Sequence, residues 1–504
     1  MKTTITDETT PLLVAQAAED PASSKPKPIT PLPKLQLGLV TCIRLVEPIA
    51  YTQIFPYINE FLNGLHVTDD PRRIGFYSGL VMNDAQESTY AIFQLFSIYH
   101  FAKLSDRIGR RPIILCGVTG VALSTFLFGL STSLPMMLVF RALAGLSSGN
   151  AAIMQSVVSE VTDASNFGRA APLFGLSWPL GSILGPLLGG ALSTPADKYA
   201  WLDFEFLRRY PYFLPGGVSS VVTLIAVITG YFFLRETLPS KVRAAKLKER
   251  AAKDRSGSVT PVDVAEVTYD AESDKPLGMR ALLANPAMRA LVTSNAGLSF
   301  LCTGYEVVFV LYAYTAVPLG GLGFPARQIG YALSVSGLVS VAGQLVLMPW
   351  LLRTFDAARM YNLCFWMFPF LFPLMSALNL IARAGYDEVG RCQASGTLSA
   401  PAVAGVWAGI VVMLLMSRFA VLAFALSMIL IKQHCPSENS VGMAYGLASF
   451  AQCLARALSP TIMSSIYALA QEYNILHGFG WVPAMVLISL GGVLQSASVV
   501  RATR

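Results

Sequence analysis

The chain has 504 residues, 54% hydrophobic and 13% charged, with a formal net charge of +7. Soluble domains carry about 25% charge, so a water-soluble enzyme of this length does not fit. The excess positive charge follows particular loops rather than one binding face, which argues against a nucleic-acid partner.

Residues 1–35 are polar and proline-rich and read as a disordered cytoplasmic tail without a signal peptide. Within them Glu8-Thr-Thr-Pro-Leu12-Leu13 fits an acidic dileucine sorting signal, a vacuolar or lysosomal address. Apolar spans of ~20 residues then recur. Twelve are expected, at 36–58, 76–101, 112–131, 136–160, 168–193, 212–234, 289–318, 326–350, 359–382, 404–432, 440–468 and 480–500. Helices are expected because lipid cannot satisfy open backbone groups. The charged stretch 240–280 divides the chain into an N-terminal six-helix half, 36–239, and a C-terminal half, 281–504. The fold class is therefore an all-α membrane protein with two pseudo-symmetric six-helix halves. About 25 Lys and Arg fall on one set of loops and about eight on the other. This bias places both termini in the cytoplasm.

The loop Ala102-Lys-Leu-Ser-Asp-Arg-Ile-Gly-Arg-Arg-Pro112 lies between the second and third spans. It resembles the G-x-L-a-D-R-x-G-R-[RK] signature of the major facilitator superfamily, with Asp106, Arg107, Gly109, Arg110 and Arg111 matching. Glu160, at the end of the fourth span, is expected to join Asp106 and Arg110 in a gating cluster. The segment Gly181-Ser-Ile-Leu-Gly-Pro-Leu-Leu-Gly-Gly190 resembles the fifth-helix signature of proton-coupled antiporters in that superfamily, especially drug exporters. Gly181, Gly185 and Gly189 recur at helical spacing and leave a face for close helix approach. Pro186 bends the helix, and Gly190 completes the pattern.

Arg141-Ala-Leu-Ala-Gly-Leu-Ser-Ser-Gly-Asn150 is similar to the family's R-x-x-x-G signature. Together with Glu47, Pro56 and Tyr305-Glu306, it looks like the fungal and plant branch that includes zinc-induced facilitators, often labelled tetracycline-resistance-like. Fungal gene-cluster exporters, including those associated with indole alkaloids such as psilocybin, share the pattern. A faint repeat links the halves. Arg141 and Glu160 correspond to Arg418 and Ser437, and Gly185-Pro186 to Ser459-Pro460. The 353–359 loop corresponds to the 102–112 loop. One departure is an apparent five-residue insertion, Met82-Asn-Asp-Ala-Gln86, before Glu87.

Charges inside spans carry the mechanism, since each costs at least ~2.5–3.5 kcal/mol at the bilayer centre. Glu306, Glu87 and Glu47 are the proton-coupling candidates, in that order. Glu306 has no basic neighbour within a turn, whereas Arg44 lies one turn from Glu47. A desolvated carboxylate holds a proton more readily. Arg141, Asn150, Tyr51, Gln94, Trp178, Tyr305 and Tyr312 are the cavity candidates, suited to an apolar or cationic metabolite through stacking and cation–π contact.

The expected activity is proton-coupled export of a small organic molecule by a monomer in the plasma or vacuolar membrane. A facilitator or importer of a metabolite or metal chelate, or a non-transporting sensor, stays open. No metal-ligand cluster, nucleophile motif or nucleotide loop is visible. The chain therefore reads as a non-enzyme with no cofactor and no ATP, drawing on protons.

Overall fold

The computed structural model describes residues 31–58, 61, 79–163, 166–255, 278–324, 326–390, 400–437, 440–476 and 478–503. At 79–87, 246, 249–255, 326, 327, 330, 334 and 386–390 the backbone alone is described. The dileucine stretch and most of the tail lie outside the described residues.

Twelve long helical segments run in chain order. In the first half they are α1 (Lys34–Thr52), α2 (Gly79–Ile108), α3 (Arg110–Phe128), α4 (Leu134–Ser147 and Ala151–Val161), α5 (Phe167–Gly175 and Ser177–Leu192) and α6 (Phe213–Phe233). In the second they are α7 (Pro286–Tyr314), α8 (Ala326–Ala342 through a π turn to Met348–Thr354), α9 (Ala357–Trp366 and Phe368–Gly390), α10 (Ala400–Val421 and Ala423–His434), α11 (Val441–Glu472) and α12 (Trp481–Ala502). A further helix, Pro239–Arg255, follows α6 and occupies the first part of the charged stretch.

Among the described residues nine helices are long and apolar enough to cross a membrane. The other three long helices are α1, α2 and α11. They carry Arg44 and Glu47, Gln94 and Asp106, and Gln452 and Arg456. Loss of apolar character falls on the helices that supply the interior polar groups, as expected where charge must face protein rather than lipid.

Local chemistry sets several starts and bends. The Asn285 side chain accepts from the Ala287 and Met288 amides, and Pro286 occupies the first turn of α7. The Asp356 carboxylate accepts from the Arg359 amide at 3.1 Å to cap α9. Gly109 separates α2 from α3 at φ +117°, where an L side chain is strained. The five-residue insertion is absorbed without a break, since α2 is one helix over Gly79–Ile108.

The two halves meet along three lines. The Gln94 carboxamide of α2 accepts from Cys453 Sγ of α11 at 3.2 Å. A Cβ on Gly337 of α8 would sit 2.6 Å from Ile183 of α5. Lys432 of α10 donates to the Ser159 and Thr162 carbonyls at the end of α4, each at 2.7 Å. With little hydrophobic drive between helices in lipid, close packing and such hydrogen bonds hold the bundle.

Candidate functional site

The first cluster lies at the end of the bundle where α1 begins and α4 and α6 end. Arg110 is 4% exposed. Its guanidinium donates to Asp106 at 2.6 Å, to Ser105 Oγ at 2.7 Å and to Glu160 Oε1 at 2.9 and 3.1 Å. Thr237 Oγ1 donates to the other Glu160 oxygen at 2.6 Å. Glu236 accepts from the Arg110 and Arg111 amides at 2.9 and 3.3 Å. A carboxylate there satisfies the free amides and meets the positive end of α3. Arg111 reaches the Tyr231 carbonyl, and Arg107 is exposed. The first turn of α11 lies against the cluster, because a Cβ on Gly442 would be 2.7 Å from Arg110 Nη2 and 3.4 Å from Asp106 Oδ1. The cluster thus joins four elements of one half and touches the other half.

The second feature is the α1–α5 crossing. A Cβ on Gly181 would lie 2.6 Å from Pro48. One on Gly185 would lie 2.9 Å from the Ile49 carbonyl and 3.0 Å from the Gln53 amide, and one on Gly189 would lie 2.8 Å from Gln53 C. Thr52 Oγ1 donates across the crossing to the Gly181 carbonyl at 3.0 Å. Pro186 lies inside the helix, and Gly190 looks toward Pro56 with ordinary clearance.

The third cluster is central. Glu47 of α1 is 8% exposed and ion-paired with Arg44. It also accepts from Tyr90 Oη at 3.3 Å and Gln94 Nε2 at 3.4 Å, both on α2. Gln94 donates to the Ser148 carbonyl at 3.3 Å, at the break in α4. Through its oxygen Gln94 meets Cys453, and Arg456 reaches the same sulfur at 3.6 Å. Arg141 of α4 is 3% exposed, with its guanidinium 4.7 Å from the Tyr51 ring centre and 5.0 Å from that of Tyr90. Arg456 stands 6.0 Å from the Trp178 ring, which lies 5.8 Å from Tyr51. Tyr51, Tyr90, Gln94, Trp178 and Arg141 therefore share one neighbourhood with Glu47.

Other expected cavity residues lie elsewhere. Asn150 donates to the Ile114 carbonyl at 3.2 Å and packs on Gly117, so it fastens α4 to α3. Tyr312 is fully buried beside Trp481 and donates to the Met375 carbonyl, inside the packed interior of the second half. Tyr305 stacks on Phe309 and meets Phe372, also within that core. Apolar spacing along one helix does not specify which neighbour each of these side chains meets. Glu306 departs from its expected setting too. Its side chain is 52% exposed and faces Arg418 of α10 at 3.4 Å, so neither burial nor the lack of a basic neighbour applies. The Glu87 side chain lies outside the described ones.

Each of the Tyr51, Tyr90 and Trp178 rings has a guanidinium beside it, Arg141 at the first two and Arg456 at the third. Sequence reasoning missed Glu236, Thr237, Lys432 and Cys453. Glu236 and Thr237 had a local signal, the Arg235-Glu-Thr-Leu-Pro239 stretch after the sixth span.

The Major Facilitator Superfamily model matches residues 50–460. The chain is 45% identical to the major facilitator-type transporter psiT2 of Psilocybe cyanescens, over 96% of this chain and 94% of that protein. It is 28% identical to the major facilitator superfamily multidrug transporter mfsB of Aspergillus fumigatus, over 92% and 83%. The crystal structure of the human organic anion transporter MFSD10 (TETRAN) superposes with a TM-score of 0.65 at 19% identity, covering 93% of this chain and all of that one. The chain belongs to the Major Facilitator Superfamily and is an integral, multi-pass membrane transporter rather than an enzyme.

Proposed function

We propose that the chain exports a small organic molecule in exchange for protons, with Glu47 as the proton carrier. The observation that supports this most is the chain of contacts from Glu47 through Gln94 to Cys453, because it links a buried carboxylate to the junction of the two halves. An ionised Glu47 holds Arg44 and accepts from Tyr90 and Gln94. A proton on it removes the charge that favours those bonds. Gln94 is then free to shift, and the α2–α11 junction loses cohesion. Opening of that junction, with release of the Arg110 cluster and of Lys432, turns the central site toward the other side of the membrane.

In this reading the end of the bundle bearing the Arg110 cluster is cytoplasmic, as the loop charge favours. The halves are 36–239 and 281–504, joined by the 240–280 linker, and the protein works as a monomer in the plasma or vacuolar membrane. Glu306 ranks behind Glu47 because it is half exposed and makes one long ion pair.

The test is uptake of a metabolite panel into inverted vesicles with and without an imposed pH gradient. Glu47→Gln should lower gradient-driven flux by about a hundredfold, the low end of what a positioned proton carrier contributes. Substrate counterflow without a gradient should persist. Unchanged gradient-driven flux would move proton coupling away from Glu47, and flux indifferent to the gradient would leave a facilitator.

A further inference from the structure

Among the described residues, two guanidiniums in the central cluster form no ion pair with a carboxylate. Arg44 has Glu47, Arg110 has Asp106 and Glu160, and Arg418 has Glu306. Among the described residues no acidic side chain pairs with Arg141 or Arg456, and the Nε of each finds no hydrogen-bond partner. The nearest acceptors are poor: the Tyr51 carbonyl at 3.5 Å for Arg141 and the Cys453 sulfur at 3.6 Å for Arg456. An unpaired charge at bilayer depth is costly. Ring contact offsets only part of this.

The described side chains of the cluster thus hold three guanidiniums and one carboxylate. The excess is positive, and it is placed on aromatic rings. Arg141 comes from one half and Arg456 from the other. Tyr51 and Trp178, in ring contact with each other, lie between them.

We infer that the transported molecule is an aromatic anion, whose acidic group is taken by Arg141 and Arg456 and whose ring lies among Tyr51, Tyr90 and Trp178. A guanidinium presents paired donors that suit a carboxylate or phosphate. An anion of this kind satisfies both orphaned Nε groups at once and ties the halves together through its own charge. A cation would instead add to the positive excess of the cluster. The inference rests on the transport reading above for the site being a substrate site, yet it concerns binding and needs no proton gradient.

The test is equilibrium binding to the purified full-length transporter in lipid nanodiscs, with three radiolabelled probes sharing one ring system. They are indole-3-acetate, indole-3-acetamide and tryptamine, which are anionic, neutral and cationic at pH 7. Indole-3-acetate should bind about tenfold tighter than either other probe, the fold-change that one charge-assisted hydrogen bond supplies. Arg456→Gln should remove that preference, and Arg456→Lys should restore part of it. If Arg456→Gln does not reach the membrane, the probe ranking on the unaltered protein and on Arg141→Lys decides. Equal binding of the three, tighter binding of tryptamine, binding of none, or an unchanged preference in Arg456→Gln each overturns the proposal. Loss of proton dependence in the vesicle assay would sink antiport and leave this ranking untouched.

Discussion

The α1–α5 crossing and the α7–α11 crossing occupy corresponding places in the two halves, and they solve one packing problem differently. In the first half, glycines on α5 admit the backbone of α1, and Thr52 of α1 donates to the Gly181 carbonyl of α5. In the second, Gly304 of α7 admits Ser459 and Met463 of α11, and Ser459 donates to the Phe300 carbonyl of α7 at 2.6 Å. The hydroxyl sits on opposite partners, and one crossing meets rigid backbone where the other meets a flexible Met. The acidic groups divide in the same way. Glu47 is buried, paired with Arg44 and held by two side chains of α2, whereas Glu306 faces one arginine and is half exposed. The halves therefore share a frame, while tight backbone packing and enclosed charge are concentrated in the first.

The largest expected effect is at the α1–α5 crossing. Gly185→Leu places a branched side chain against the Ile49 carbonyl and the Gln53 amide, neither of which can rotate away. Overpacking of this kind costs at least about 1–3 kcal/mol, so flux should be lost and the melting temperature lowered. Gly304→Ala should be milder, because the Met463 side chain can adopt another rotamer. Equal damage from both would erase the distinction between the crossings.

The carboxylates give the second comparison. Glu306→Gln should retain at least about a third of gradient-driven flux, against the roughly hundredfold loss expected for Glu47→Gln. The reverse ranking in vesicles would return coupling to the second half.

Much of this frame was legible in the sequence. The spans follow from apolar runs of membrane length, and the 102–112 loop and the Gly181–Gly190 pattern drew attention to residues that meet neighbours closely. The pairings that decide chemistry were not legible, for a physical reason. Glu306 meets Arg418, 112 residues away, and Gln94 meets Cys453, 359 away. Periodicity along one helix carries no record of such partners. Rotation was equally hidden. Asn150 stands at the break in α4 and Tyr312 near the end of α7, and their spacing in the sequence could not tell a cavity face from a packed one.

The 102–112 and 353–359 loops supply the third comparison. Asp106→Asn should lower flux about tenfold, since it removes one charge from an ion cluster touched by α11. Asp356 occupies the matching loop of the second half but only caps α9. Asp356→Asn keeps a capping oxygen and should change flux by less than about twofold. A comparable loss from both would mean that the second loop gates as well.

The smallest effect should come from Ser459→Ala. The substitution removes one hydroxyl that donates to the Phe300 carbonyl, and adds no volume. That carbonyl lies in a helix and keeps its main-chain partner, so the expected loss is one modest hydrogen bond, about 0.5–1.5 kcal/mol. Interhelical side-chain hydrogen bonds within a membrane contribute about 0.6 kcal/mol on average in double-mutant cycles. Thermal unfolding in detergent should show a small decrease with flux intact. Thr52→Ala in the first half removes the corresponding bond, but its hydroxyl lies where Gly185 approaches most closely. Thr52→Ala should therefore leave a void beside backbone that cannot relax and should destabilise more than Ser459→Ala. If the two variants melt together, the tighter backbone contact of the first half contributes nothing beyond the hydrogen bond it encloses.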